Sequence, residues 1–306
     1  MNLRRPAASE GIKSMKAHRL ALFTAGATLF LLFAGGLVTT TASGDAVPDW
    51  WFVPISFGTF FPKMTGGVLF EHGHRLVATL VGLLTLALAF VLWRSEKRAW
   101  LRNFGIVAVV GVCAQGTLGG LRVHHVGNPA IIAIIHACVA QLFLGALVAI
   151  AAATSPRWRA ETPEETPSWL PWITTATSAI VFIQIFLGAI RRHTGAGIDV
   201  HALFSFVVAV AILVAAAECF RRDRFRRTAA FLVTLLFAQI ALGIWTYILV
   251  RGGFVCSVNA SAIQTIAITG HLALGGLVHA LCVSLAVRSW NVFRLPATRP
   301  GLEAVL

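Results

Sequence analysis

The sequence predicts an all-α membrane protein: eight transmembrane helices arranged as two tandem four-helix bundles related by pseudo-two-fold symmetry. Three observations carry this. Apolar residues make up 57% of the 306-residue chain and charged residues only 12%, against about 25% charged in an ordinary soluble domain. Eight apolar stretches are each long enough for the roughly 20 residues that a bilayer crossing takes. The pattern Gln-x-x-Leu-Gly recurs at Gln115–Gly119, Gln141–Gly145, Gln184–Gly188 and Gln239–Gly243, which marks an internally repeated unit.

In chain order, residues 1–19 are polar and basic and read as a cytoplasmic tail. The apolar stretches follow at 20–40, 72–93, 103–122, 130–152, 171–190, 199–219, 229–250 and 264–287. They are uniformly apolar rather than alternating, so they are helices and not barrel strands. The first is too long for a cleavable signal peptide and lacks a small-residue cleavage site, so it reads as a retained helix. An N-terminal half spans 20–152 and includes a large outer loop at 41–71. The linker 153–170, with Pro156, Pro163 and Pro167, joins it to a C-terminal half at 171–288, and 289–306 form a second tail. Gly35-Gly36-Leu37 matches Gly188-Ala189-Ile190, and Ala114-Gln115 matches Ala238-Gln239. Each copy has an even number of helices, so both copies point the same way across the membrane.

The net charge of +13 is not gathered into a stripe that would suit nucleic acid. It falls in short clusters between the apolar runs. All the lysines and arginines except Lys63, Arg75, Arg122, Arg191, Arg192 and Arg251 belong to one side. The positive-inside rule makes that side, with both termini, cytoplasmic. The five cysteines lack metal-site spacing and suggest no disulfide framework.

This orientation gathers four histidines, His74, His136, His201 and His271, into the outer half of the membrane, on alternate helices. The repeat equates His74 with His201 and His136 with His271. Ionisable side chains in a membrane segment are costly and point to a working site. Two neutral imidazoles facing each other inside a helical bundle are a common way to hold haem iron. Zinc or copper would ask for further ligands, and none recurs in both halves. Each half is therefore expected to hold one haem through a histidine pair. His18 falls in the tail, and His124, His125 and His193 fall in outer loops. His72 turns to another face from His74. His279, two turns beyond His271, is the one rival ligand for the second pair.

Glu71 stands three residues before His74, on the same helix face. A carboxylate there can move protons or stabilise positive charge on the edge of the porphyrin. It can also simply favour the start of a helix through the dipole. Ile198 stands at the matching place before His201, so the halves differ as a working site and a supporting site would. The Gln-x-x-Leu-Gly glycines read as close-packing residues between helices. Spacing alone leaves three functions open: a haem-modifying enzyme, a quinol-linked di-haem electron-transfer protein, and a transporter whose halves rock about a central site. Glu71 and the enlarged first loop favour the enzyme.

Gly35-Gly36-Leu37-Val38-Thr39, Pro48-Asp49-Trp50, Glu71-His72-Gly73-His74-Arg75 and Arg192-His193-Thr194-Gly195-Ala196-Gly197 together resemble the haem A synthase family over nearly the whole chain. The resemblance implies oxidation of the C8 methyl of haem O to a formyl group by successive hydroxylations, with water as the oxygen source. It implies that His74 and His136 ligate haem O, the substrate that becomes haem A, with Glu71 catalytic. It further implies that His201 and His271 ligate a haem b that relays electrons. A bacterial inner membrane, a haem O synthase and cytochrome oxidase assembly as partners, and compatibility with a homo-oligomer complete the expectation. Some members carry a cysteine pair in the first outer loop. This loop has none, so the chain resembles the cysteine-free branch of bacteria and mitochondria.

Overall fold

A computed structural model describes residues 6–49, 54–160, 169–250 and 260–293. Among these, nine helices succeed one another: α1 (Pro6–Thr40), α2 (Gly67–Ser95), α3 (Ala99–Val123), α4 (Pro129–Thr154), α5 (Pro156–Ala160), α6 (Trp169–Thr194), α7 (Ile198–Phe220), α8 (Asp223–Val250) and α9 (Ala262–Val292). All but the short α5 are long and apolar enough to cross a bilayer. Each expected span lies inside one of them. Trp50, Trp51, Arg251, Cys256, residues 161–168 of the expected linker and the C-terminal tail from residue 294 lie outside the described residues.

The first helix begins at Pro6 rather than near residue 20. His18, expected in a tail, is on α1 and its Nδ1 lies 2.9 Å from the Ala151 carbonyl of α4. The stretch of α1 apolar enough to cross a bilayer begins at Met15.

The adjacencies define the architecture. In the first half α1 packs on α2, α2 on α3, α3 on α4 and α4 back on α1. In the second, α6, α7, α8 and α9 close the same ring. Across the seam α1 meets α9, α4 meets α6, and α4 meets α9. Exchanging α1–α4 with α6–α9 leaves this pattern unchanged, as two copies of one unit require.

Local chemistry sets the helix ends. Thr41 Oγ1 donates to the Leu37 carbonyl at the end of α1, and Thr194 Oγ1 to Ile190 at the matching end of α6. The next residue turns left-handed in both, Ala42 with φ 50° and Gly195 with φ 75°. Glycine takes that conformation at little cost and alanine does not, so the first copy is the strained one. Asn128 caps α4 by accepting from the Ala130 and Ile131 amides, with Pro129 in the first turn. Ser261 and Gln264 form a capping box on α9.

Each half has its own core. Leu88, Leu92, Leu101, Leu147 and Ile150 fill the first, and Leu170, Ile212, Phe225, Leu232 and Leu285 the second. The first buried apolar residue of α2 is Val81, seven residues past His74; that of α7 is Val208, seven past His201. On α2 and α7 close packing therefore locks the helix two turns beyond the histidine and leaves the histidine end to other contacts. At the locked end Arg98 lies over Trp100, Arg102 over Trp93 and Arg222 over Trp169, 5.5–5.9 Å from guanidinium carbon to ring centre. Such pairs suit a membrane–water boundary.

Candidate haem sites

The clearest geometry is in the second half. His201 of α7 and His271 of α9 face each other with ring centroids 6.4 Å apart and planes at 80°. Two metal–imidazole bonds of about 2 Å each, with a ring radius at either end, span roughly 6 Å. The pair is thus already spaced for one iron between them. His279, the rival, stacks at 5.9 Å on Phe182 of α6 and points towards Gly145 of α4. It belongs to the seam between halves.

In the first half His74 of α2 and His136 of α4 lie close enough to interact electrostatically. His193, expected in an outer loop, is in the last turn of α6 and within electrostatic range of His136 and Arg122. A cavity of about 350 Å³ opens beside this pair, lined by Arg122, Asn128, Pro129, Ala130, Ala133 and His193. A residue of the second half therefore helps line the first site, a placement that sequence position alone does not reveal.

All four histidines meet a glycine on the preceding helix. A methyl group placed on the glycine would come 3.2 Å from His74 Nε2 at Gly35 and 3.9 Å from His136 Cε1 at Gly119. At Gly188 it would come 3.1 Å from His201 Cε1, and at Gly243 2.9 Å from His271 Cε1. Any side chain at Gly188 or Gly243 would push the imidazole aside. Three of the four glycines belong to the Gln-x-x-Leu-Gly pattern, and the glutamine does a second job. Gln115 Nε2 donates to the carbonyl of His136 at 3.0 Å, Gln184 to His201 at 2.9 Å, and Gln239 to His271 at 3.0 Å. These glutamines were missed in the sequence; the repeat was visible, but not what lies across from it.

The residues fit a haem. The Nδ1 atoms of His136, His201 and His271 are buried without a partner, as ligand rings waiting to be oriented would be. Among the described residues no three His, Cys, Asp or Glu side chains converge as a bare metal ion would need. Paired imidazoles in glycine-lined niches match an iron that brings its own equatorial nitrogens.

Among the described residues the first site carries a superstructure that the second lacks. Glu71 is buried at 4% exposure. Its Oε2 accepts from the Val47 amide at 2.8 Å and its Oε1 from Arg75 at 2.7 Å. Arg75 also donates to the Asp49 carbonyl at 2.6 Å. His72 is fully buried, with Nδ1 2.8 Å from Ser56 Oγ and Nε2 3.1 Å from the Phe60 carbonyl. Successive residues of the first turns of α2 thus fasten both limbs of the outer loop. The carboxylate is not a mobile group; two donors fix it, three residues from His74.

Comparison with known proteins adds the last observation. Residues 59–203 match the family model described as COX15-CtaA, cytochrome oxidase assembly protein. That stretch holds Glu71, His74, His136 and His201. A protein named heme A synthase from Shouchella clausii is 28% identical over 300 residues, covering 87% of this chain and 92% of the relative. Another of that name from Symbiobacterium thermophilum is 28% identical, covering 75% and 85%. A third, from Alkalihalophilus pseudofirmus, is 23% identical, covering 92% and 97%.

Proposed function

We propose that the chain, similar over most of its length to proteins named heme A synthase, is itself a haem A synthase and oxidises the C8 methyl of haem O to the formyl group of haem A. The observation that carries this reading is the asymmetry of two otherwise matching histidine pairs. Among the described residues only the first has a buried carboxylate and a fastened loop. His74 and His136 hold the substrate haem, and His201 and His271 hold a haem b.

That haem b supplies a route for electrons from the substrate to an external acceptor. Everything else falls to the chain. Glu71, oriented by Arg75 and the Val47 amide, places a fixed negative charge beside the substrate's ligand and stabilises positive charge developing at the porphyrin edge. Water supplies the oxygen, and the released protons leave by way of the carboxylate. The described limbs of the outer loop, 41–49 and 54–66, exclude bulk water from the reacting methyl. Arg122 and His193 line the entrance. The histidine end faces the outer side of a bacterial inner membrane, and both termini lie in the cytoplasm. A haem O synthase delivers the substrate, cytochrome oxidase assembly takes the product, and a homo-oligomer is compatible with the exposed helix faces.

The test is expression with a haem O synthase in a bacterial host that makes no haem A, followed by chromatography of the extracted haems. Haem A should appear. If haem O remains the only modified haem, with no hydroxylated or formylated form, the proposal fails.

A further inference from the structure

Three of the four histidines are held twice and the fourth only once. Gln115, Gln184 and Gln239 each reach across to the next helix and donate to the carbonyl of the histidine residue itself. Four residues on, one turn along the same face, Gly119, Gly188 and Gly243 lie against the same imidazole. Gln239 Nε2 also comes within 3.4 Å of His271 Nε2. A carbonyl has two lone pairs, and a helix uses only one. The side-chain bond takes the other without breaking the helix, and in an apolar setting the amide has few alternative partners. It therefore fixes the rotation and the height of the histidine helix against its neighbour. The amide oxygens of Gln184 and Gln239 are buried without a partner, so the geometry serves the donor end.

At His74 the glycine is kept as Gly35, but the residue four before it is Leu31. Leucine can donate nothing. The His74 helix is instead tied near its start to the outer loop, by Glu71, His72 and Arg75. That tie runs to a loop and not to a packed helix, and close packing resumes only at Val81.

We propose that Gln115, Gln184 and Gln239 are positioning residues for the iron ligands, and that His74, lacking such a bond, is the ligand whose helix end shifts to admit and release porphyrin. The second half then keeps its haem because both ligand helices are fixed; the first exchanges because one is not. This rests on the proposed function for the identity of the two porphyrins, though not for the contrast between the halves.

The experiment measures loss of each haem from the purified full-length protein in lipid nanodiscs to excess apomyoglobin. The protein is loaded with haem b and haem O, and the haem retained at each time is extracted and the two are separated by chromatography. The parent should lose haem from the first half at least several-fold faster. Gln239→Leu or Gln184→Leu, which copies the residue natural at 31, should speed loss from the second half several-fold and alter its low-spin electron-paramagnetic signal, with the first half unchanged. Leu31→Gln should slow loss from the first half. If Leu31→Gln does not fold, Gln115→Leu takes its place and should speed loss from the first half alone. Equal release from both halves of the parent, or variants that release like the parent, would overturn the inference. No rate here needs turnover: a protein that releases haem as described but forms no haem A defeats the proposed activity and leaves this inference standing.

Discussion

The imidazoles of His201 and His271 stand 6.4 Å apart across the second bundle, nearly perpendicular, with His279 turned away from both towards α4 and α6. Replacing either His201 or His271 with alanine should therefore abolish the low-spin spectrum of the second-half haem. His279→Ala should leave it in place. The reduced-minus-oxidised visible spectrum and the haem content per chain decide between them.

The glycine niches make a graded prediction. Gly243→Ala puts a methyl 2.9 Å from His271 Cε1 and must displace the ring, whereas Gly119→Ala puts one 3.9 Å from His136, an ordinary contact. Overpacking of this kind costs about 1–3 kcal/mol, which reaches a tenfold loss of affinity near 1.4 kcal/mol. Haem titration of the purified variants should show Gly243→Ala weakened at least several-fold and Gly119→Ala close to the parent.

Arg75 and Glu71 form an ion pair at 2.7 Å with side chains only 12% and 6% exposed. Removing one partner of such a pair strands the other charge, at a cost of roughly 3–5 kcal/mol. Arg75→Leu should lower thermal stability and free the outer loop, while Glu71→Gln, which can still accept from Val47, should destabilise less. Glu71→Gln should nonetheless lose haem A formation while keeping haem bound, a separation read by comparing extracted product with bound haem.

Ser56→Ala removes one hydrogen bond to His72 and should cost about 1 kcal/mol. Limited proteolysis should cut the loop around residues 54–62 faster in that variant. The second-half haem spectrum should be unaffected, because among the described residues the hydrogen bonds of Ser56 go to His72 and Thr59, both in the first half.

Much of this was legible beforehand. The eight spans were readable because each is a continuous apolar run with basic residues between, and hydropathy needs no knowledge of neighbours. The four histidines could be paired because the repeat supplied the equivalence, and their alternation along the chain put them at one end. What was not legible depends on which face meets which. His193 looked like a loop residue because two arginines and a glycine surround it, yet α6 runs to Thr194 and aims it at the first site. His18 looked like tail because of its basic neighbours, yet those neighbours are helical. The glutamines read as part of a packing motif, since their carbonyl partners lie 17 to 32 positions further along the chain.

The seam deserves a last consequence. Its contacts, α1 on α9, α6 on α4 and α4 on α9, are those by which two identical four-helix subunits would associate about a dyad. In a true homodimer every substitution appears in both subunits at once. Tandem fusion lifts that restriction: a leucine at position 31, a lengthened loop and a buried carboxylate can accumulate in one copy while its sister stays conservative.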